Sequence, residues 1–518
     1  MMQYLTALGG TVALLLPALV SAASDVKATC SPDAIPTPEL FGGQILSLTA
    51  TSLINYGGNV SFCNITVQYT HPGQDDKINV YVFLPLVENW NERFLGSGGG
   101  GYRMRSADSV LVENVAKGYA VAATDAGHDW TVDSSESWAL LSPGNVNAPL
   151  LNNFAAVALE DATILGKAIT ASFYGQEPKY SYWSGCSTGG RQGLMLAQRF
   201  PTLYDGILAT APAINWAKFL VAEYWPQFVM NQLGVYPTPC EFNATITAAI
   251  EACDGLDGVE DGIIADPTNC DFDPLSTVGR QFTCGDASGT VSEEAATILQ
   301  KAWEGARTKN GNFSWYGLSP DAPISGLVNT TCSGTDCTGT PFYISQEWIE
   351  FFIKRGDPNF DIANISHAEY DAIFHRSVNQ YKSIMSTDDP DLSEFKESGG
   401  KMITWHGLAD QLIFPEGTTD YYEKVLELDP AAPDFYRYFK APGVGHCRGG
   451  VGPIPTNAFD SLVAWVEEDV APETLPASTA VNGNATRELN LCPYPLVAAY
   501  KGGDILKASS YECSASFK

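Results

Sequence analysis

Three residues of the chain could act together as a nucleophile, a base and an acid that orients the base. Ser187 lies in a Gly-Cys-Ser-Thr-Gly run, Asp410 ends the run His-Gly-Leu-Ala-Asp, and His446 lies between a glycine and a cysteine. A serine hydroxyl is a weak nucleophile at its own pKa, so a histidine must take its proton and a carboxylate must orient that imidazole. These residue types therefore predict nucleophilic acyl transfer through Ser187.

The elements expected around these residues would bring them together. The residues before Ser187 are aromatic and small, as in a buried strand, and residues 191–197 suit a helix. A glycine on each side permits the sharp turn that lifts a serine above a sheet. Asp410 and His446 also follow expected strands, and the chain order Ser, Asp, His is that of an α/β-hydrolase fold. The Gly-x-Ser-x-Gly run alone is common, and a plain glycine-rich loop is the alternative interpretation.

Other candidates for the acid and the base fit this pattern less well. Asp125 precedes the serine, whereas the acid of this fold follows it. His406 lies on the same expected turn as Asp410 and is expected to support it. The remaining histidines lack a Gly-x-Gly-His setting after a strand: His71, His128, His367 and His375.

Acyl transfer also needs hydrogen-bond donors for the negative oxygen of the tetrahedral intermediate. The backbone N–H of Thr188, directly after the nucleophile, is the expected first donor. The second donor is expected from the glycine run 98–101, which follows a strand, and we predict the N–H groups of Gly99 and Gly100 for this role. No Gly-Lys-Ser/Thr follows this run, which argues against a phosphate-binding loop, and a flexible loop without a role is the remaining alternative.

Two cysteines flank the expected catalytic pair. Cys186 directly precedes the serine, and Cys447 directly follows the histidine. If Ser187 and His446 are in contact, their neighbours are also close, so we expect a disulfide between the two cysteines. It would close a loop of 261 residues (447 − 186) and stabilise the fold by about 5 kcal/mol on the chain-entropy model. Two unrelated structural cysteines are the alternative.

The expected secondary structure and the composition divide the chain into two parts. Strands and helices alternate over 23–212 and again over 394–518, which predicts one α/β catalytic domain built from both segments. Residues 213–393 lack that alternation and are rich in Asn, Thr, Gly and Cys. We interpret them as an insertion that lies over the active site as a lid.

The insertion contains an acidic, glycine-interrupted loop at residues 253–267. The carboxylates of Asp254, Asp257 and Asp261 can converge there, with the carbonyls of Val259 and Ile263 as further ligands. Oxygen ligands of these two kinds select Ca²⁺ rather than Zn²⁺. We expect a structural calcium site stapled by a Cys253–Cys270 disulfide; a solvated acidic loop is the alternative.

Several features predict secretion. Residues 1–22 contain an apolar run that ends in Val-Ser-Ala, and we interpret them as a signal peptide. The apolar run is too short to span a membrane. Twelve cysteines fit six disulfides, among which Cys492–Cys513 is expected and Cys63 is a candidate partner for Cys30. The net charge of −30 argues against nucleic acid and anionic membranes as partners. Seven glycosylation sequons fit a secreted glycoprotein: Asn59, Asn64, Asn243, Asn312, Asn329, Asn364 and Asn484.

Taken together, these motifs resemble the tannase and feruloyl esterase family of fungal secreted esterases. The resemblance rests on Gly-Cys-Ser-Thr-Gly-Gly at 185–190, His-Gly-Leu-Ala-Asp at 406–410 and Gly-His-Cys at 445–447. It implies a Ser187–Asp410–His446 triad, a disulfide between the flanking cysteines and the calcium ligands named above. It also implies a secreted serine esterase acting on aromatic esters: feruloyl and coumaroyl groups on plant cell-wall polysaccharides such as xylan, as in a feruloyl esterase of the B type. A tannase acting on galloyl esters is the alternative within the family, and a non-catalytic carbohydrate-binding relative is the alternative outside enzymes.

Overall fold

The computed structural model describes residues 29–57, 59–285, 287–333, 336–481 and 485–517. The expected signal peptide at 1–22 and the sequon at Asn484 lie outside these residues.

A nine-stranded mixed sheet forms the centre of the molecule. Its strands are β1 (Gln44–Tyr56), β2 (Val60–Thr70), β3 (Ile78–Pro85), β4 (Arg93–Ser97), β5 (Ala120–Thr124), β6 (Tyr180–Cys186), β7 (Gly206–Thr210), β8 (Lys401–Gly407) and β9 (Tyr436–Ala441). They lie in the order β1-β2-β3-β5-β4-β6-β7-β8-β9. The first three pair antiparallel, β3 pairs antiparallel with β5, and every pair from β5 to β9 is parallel. The loops after β4, β6, β8 and β9 therefore meet at one edge, where the carboxyl ends of the parallel strands lie.

Helices cover both faces of this sheet, because its strands alternate side chains between two hydrophobic layers. In β3, Val82 belongs to one buried cluster and Phe83 to the other. The helices of eight or more residues are α1 (Asp108–Ala116), α2 (Ala158–Tyr174), α3 (Thr188–Arg199), α4 (Trp216–Glu223), α5 (Trp225–Leu233), α6 (Pro239–Cys253), α7 (Glu293–Glu304), α8 (His367–Met385), α9 (Pro415–Leu428) and α10 (Ala458–Glu468). A π-helical turn at Asn153–Val157 leads into α2.

Residues 213–393 leave the sheet after β7 and return to it before β8. They contain α4 to α8, a second π-helical turn at Trp348–Ile353, and two hairpins at Gln281–Cys284/Ala287–Thr290 and Val328–Ser333/Asp336–Pro341. One continuous buried cluster joins Leu194 of α3 to Trp216 and Trp348 of this segment. The segment therefore packs as part of the core and is not an appendage on a linker.

Six disulfides lie within the described residues, and they use all twelve cysteines. The expected pairs at Cys186–Cys447, Cys253–Cys270 and Cys492–Cys513 are present, as is the candidate pair Cys30–Cys63. The remaining four cysteines pair as Cys240–Cys284 and Cys332–Cys337.

Candidate active site

Ser187 lies on a strained turn between β6 and α3. Its backbone has φ 64° and ψ −123°, a conformation that residues other than glycine rarely adopt. A Cβ atom on Gly185 would lie 2.5 Å from the backbone of Gly189, so only glycine permits this close turn. The Ser187 N–H donates to the carbonyl of Thr210 on β7, which anchors the turn to the sheet.

Asp410 and His446 lie at the same edge, on the turns that follow β8 and β9. Nδ1 of His446 is 2.7 Å from Oδ2 of Asp410. With a hydrogen on Nδ1, the imidazole leaves Nε2 as the nitrogen that accepts a proton. The side chain of His446 is 11% exposed and that of Asp410 is fully buried, so the base reaches the cavity and the acid does not.

Four groups surround the carboxylate of Asp410. The N–H groups of Leu412 and Ile413 donate to Oδ1 at 2.8 and 2.9 Å, and Nε2 of His406 lies 3.0 Å from Oδ2. Burial alone would raise the pKa of Asp410, but the charge of His446 and the hydrogen bonds from both histidines outweigh it and hold that pKa below its ordinary value. The buried acid therefore stays ionised, and His406 supports it as its position in the sequence predicts.

The Cys186–Cys447 disulfide joins the two turns covalently. Its Cα atoms are 6.0 Å apart, and its neighbours Ser187 and His446 line the same cavity. No hydrogen bond joins the Ser187 hydroxyl to His446 within the described residues. Such contacts commonly tighten when substrate is bound.

Three N–H groups of the glycine run 98–101 donate hydrogen bonds within the protein. The N–H of Gly99 donates to Oε1 of Gln192, and the N–H of Gly100 donates to the carbonyl of Arg103. The N–H of Gly98 is also engaged, with the carbonyl of residue 184. Both N–H groups that were expected to hold the oxyanion, those of Gly99 and Gly100, therefore already have acceptors in this structure.

Gly101 is the glycine of the run whose N–H has no hydrogen-bond acceptor in the described residues. Its carbonyl accepts a hydrogen bond of 2.7 Å from the side chain of Thr188, which places Gly101 beside the residue after the nucleophile. The N–H of Thr188 lies at the first position of α3, where a helix offers no internal acceptor. Among the residues expected to supply oxyanion donors, Thr188 and Gly101 are therefore the two whose N–H groups have no acceptor in the described residues.

A cavity of about 500 Å³ opens over Ser187. One side consists of the glycine run, Ser187, Thr188 and His446 from the sheet edge. The other side comes from residues 213–393 and is mostly aromatic and aliphatic: Trp216, Phe219, Leu220, Glu223, Phe342, Tyr343 and Ile344. A cavity with one polar wall and one apolar wall suits a ligand that joins a reactive ester to a ring.

The acidic loop is folded by its own backbone. Oδ1 of Asp254 accepts hydrogen bonds from the N–H groups of Asp261 and Ile263 at 2.9 and 3.3 Å. Oδ1 of Asp257 accepts one of 3.0 Å from the N–H of Val259. The five expected calcium ligands therefore lie on one tight turn.

The charges of this loop are poorly balanced. Burial, which the nearby Arg487 only partly offsets, raises the pKa of Asp261 to about 6, and the carboxylates of Asp254 and Asp257 add to the effect. Clustered carboxylate oxygens of this kind fit a hard cation. Within the described ranges, however, no three His, Cys, Asp or Glu side chains already converge closely enough to hold one, so the carboxylates would have to move together around the ion.

Glu223 is the residue of the cavity that the motifs do not indicate. Glu223 is the last residue of the mostly apolar helix Trp-Ala-Lys-Phe-Leu-Val-Ala-Glu. The only feature of the sequence that could have indicated it is an acidic residue at the end of this helix. Gln192, which holds Gly99, lies on α3 without any motif of its own.

The chain is similar to known tannases and feruloyl esterases in both sequence and fold. A family model described as tannase and feruloyl esterase matches residues 63–514. A probable feruloyl esterase of Arthroderma benhamiae is 40% identical over 523 residues, covering 97% of each chain. Tannin acyl hydrolase from Aspergillus niger superposes with a TM-score of 0.85 at 28% identity, covering 93% of this chain and 94% of that one. Feruloyl esterase B from Aspergillus oryzae superposes with a TM-score of 0.77 at 26% identity, covering 92% and 97%.

Two further points follow. Across the part of the chain that the structure describes, every helix is too short or too polar to cross a bilayer. The matches confirm the α/β-hydrolase fold and a serine carboxylic ester hydrolase activity, and the chain belongs to the tannase and feruloyl esterase family.

Proposed function

We propose that the protein is an extracellular esterase that releases hydroxycinnamic acids, such as ferulic and coumaric acid, from plant cell-wall polysaccharides. The observation that carries this choice is the 40% identity, along nearly the whole chain, with a probable feruloyl esterase. The aromatic wall of the cavity supports it, because Trp216, Phe219 and Phe342 offer flat apolar surface to an aromatic acyl group.

In the proposed mechanism, the hydroxyl oxygen of Ser187 attacks the ester carbonyl while Nε2 of His446 takes the hydroxyl proton. Asp410 stabilises the imidazolium that forms, and the N–H groups of Thr188 and Gly101 stabilise the negative oxygen. As the tetrahedral intermediate collapses, His446 gives the proton to the leaving alcohol and an acyl-enzyme remains. Water then attacks, activated by His446, and releases the acid and Ser187.

A tannase acting on galloyl esters is the second candidate. It is favoured by the TM-score of 0.85 with tannin acyl hydrolase, which exceeds the 0.77 found with feruloyl esterase B. Both candidates use the same chemistry, and they differ only in the ring and spacer that the apolar wall accepts.

Rates on methyl ferulate, methyl caffeate and methyl gallate test the choice. We expect the highest kcat/KM on ferulate or caffeate, and a clear preference for gallate would favour the tannase instead. Ser187→Ala is expected to abolish hydrolysis of all three esters while the protein keeps its circular dichroism spectrum. Retained activity in that variant would contradict the nucleophile assignment.

Export and glycosylation belong to the same proposal. Six disulfides are typical of an oxidising compartment. Of the sequons within the described residues, Asn64 is partly buried, and the exposed ones are the expected glycan sites: Asn59, Asn243, Asn312, Asn329 and Asn364. Mass spectrometry of the secreted protein should find glycan on this exposed set.

We also propose that the acidic loop binds Ca²⁺ through Asp254, Asp257, Asp261 and the carbonyls of Val259 and Ile263. The ion would cross-link the loop and take no part in the reaction. Elemental analysis is expected to find calcium, and chelation is expected to lower Tm, with recovery on adding calcium back.

Two variants of the loop separate ion binding from simple loop damage. Asp254→Ala should abolish the calcium-dependent part of Tm, whereas Glu260→Ala, an exposed residue of the same loop outside the ligand set, should retain it. A Tm that does not respond to chelation in the unmodified protein would reject the site.

A further inference from the structure

Glu223 is a buried acid in the active-site cavity without a partner. The residue is 2% exposed, and it lines the cavity that contains Ser187. Its Oε2 atom has no hydrogen-bond partner, and no ion pair within the described residues includes its carboxyl group. Buried polar groups in native proteins are nearly always satisfied, so one left open at a reaction site marks a place where a polar group of the substrate could bind.

The surroundings of Glu223 favour the uncharged form of its carboxyl group. Burial, reinforced by the negative charge of Asp410, raises the pKa of Glu223 well above its ordinary value. A neutral carboxylic acid has one O–H donor and acceptor oxygens, so it can exchange hydrogen bonds with a hydroxyl group. It has no charge with which to recognise a cation.

The neighbouring wall indicates which kind of hydroxyl would reach it. Trp216, Phe219 and Leu220 precede Glu223 on α4, and all three line the cavity together with it. The cavity is also lined by Arg103, Asp133, Arg105 and Arg448. Arg103 pairs with Asp133 at 3.1 Å and Arg105 pairs with Asp108, whereas Arg448 is exposed on the turn after His446. An aromatic ring placed against the apolar part of α4 would therefore direct its own polar substituent to Glu223.

We propose that Glu223 binds the phenolic hydroxyl on the acid side of the ester and selects hydroxylated over unsubstituted aromatic acyl groups. This inference rests on the proposed function, and it identifies the residue that recognises the hydroxyl group on the aromatic ring of the substrate. Glu223 acts in specificity and does not take part in proton transfer at the ester.

The test uses substrate pairs that differ only by ring hydroxyls. Methyl p-coumarate and methyl cinnamate form one pair, and methyl gallate and methyl benzoate form the other, which covers the tannase alternative. In the unmodified protein the hydroxylated member should have the higher kcat/KM. Glu223→Leu should reduce kcat/KM roughly 10- to 100-fold on the hydroxylated member and change it little on the unsubstituted one, because a buried hydroxyl loses its partner.

Glu223→Gln keeps a donor and an acceptor in the same shape, so it should retain most of the discrimination. If Glu223→Leu does not fold, Glu223→Ala replaces it with the same expected loss on the hydroxylated member of each pair. Asp321→Asn is the matched control, since Asp321 has a buried unpartnered oxygen in the same insertion but does not line the cavity. It should leave the ratio within each pair unchanged.

The outcomes separate the two proposals. If the unmodified protein hydrolyses none of these esters, the proposed function fails. If it hydrolyses them and Glu223→Leu leaves the ratio unchanged, or lowers both members of a pair equally, the role of Glu223 is rejected while the function stands. A third arm compares methyl ferulate with a feruloylated sugar, and a change in that ratio alone would assign Glu223 to a hydroxyl of the alcohol and overturn the acid-side proposal.

Discussion

Two buried carboxyl groups at the active site show how the sheet edge and the insertion differ. Asp410, on the turn after β8, accepts hydrogen bonds from two backbone N–H groups and lies within hydrogen-bond distance of two histidines. Glu223, on α4, has an oxygen with no partner. Burial disfavours the charge of both, yet the pKa of Asp410 is lowered and that of Glu223 is raised. Partners, and not depth, therefore decide which group is ionised.

The same contrast extends to a second pair of acids. Asp76, in the loop before β3, accepts hydrogen bonds from His71, Thr70 and Asn153, and these lower its pKa against the effect of burial. Asp321, in the insertion, has an unpartnered oxygen, and burial raises its pKa to about 7. The rule has an exception in the core: burial still raises the pKa of Asp161, although Tyr69 and His71 both bond to it.

Of the changes that test this comparison, Asp410→Asn should have the largest effect. An amide in place of the carboxylate can no longer stabilise the imidazolium and favours the wrong tautomer of His446, so kcat should fall by about 10⁴-fold. Steady-state kinetics on methyl ferulate measure it. Glu223→Gln is the control on the insertion side of the site and should retain kcat within about tenfold. Similar losses in both variants would show that the two acids do not have distinct roles.

The next largest effect is expected from removing the disulfide beside the triad. The Cys186–Cys447 bond spans 261 residues and encloses the whole insertion, so the double alanine variant should lose about 5 kcal/mol of unfolding free energy. The Cys332–Cys337 bond spans 5 residues, and its removal should cost only about 2 kcal/mol on the same relation. Denaturant melts compare the two variants. Equal losses would mean that loop closure does not explain how the core holds the insertion.

The meeting of Ser187, Asp410 and His446 at one sheet edge was predictable, because each of them lies in a short motif that can be recognised on its own. The serine needs a glycine on each side, the acid and the base each lie on the turn that follows a strand, and adjacency alone indicated the pairing of Cys186 with Cys447. The oxyanion donor was not predictable in this way. The side chain of Gln192 and the carbonyl of Arg103 accept hydrogen bonds from two N–H groups of the run 98–101. The sequence of the run itself does not indicate these acceptors.

Glu223 was missed for a related reason. In the sequence it is one acid at the end of an apolar helix, and the same pattern would fit a residue paired with a neighbouring arginine. What distinguishes it is the lack of a partner, and that is visible only when every surrounding element is in place. Motifs therefore indicated the chemistry of the sheet edge, whereas the selectivity of the insertion depends on packing.

The smallest expected effect concerns Asp321, and it tests whether unpartnered acids in the insertion reduce stability. The ordinary pKa of an aspartate is about 3.9, and that of Asp321 in the folded protein is about 7. Between these values the unfolded chain loses the proton while the folded chain keeps it, so stability falls as pH rises from 4 to 7. Asp321→Asn removes this loss and should be up to about 4 kcal/mol more stable at pH 8.

At pH 4 the Asp321→Asn variant and the unmodified protein should be nearly equal, since the carboxyl is largely protonated in the folded state and half protonated when unfolded. Denaturant melts at both pH values measure the difference. Asp271→Asn, at an exposed aspartate of the same insertion, is the control variant. If Asp321→Asn is destabilising at pH 8, the carboxylate has a partner in solution, and the contrast between a satisfied sheet edge and an unsatisfied insertion would then rest on Glu223 alone.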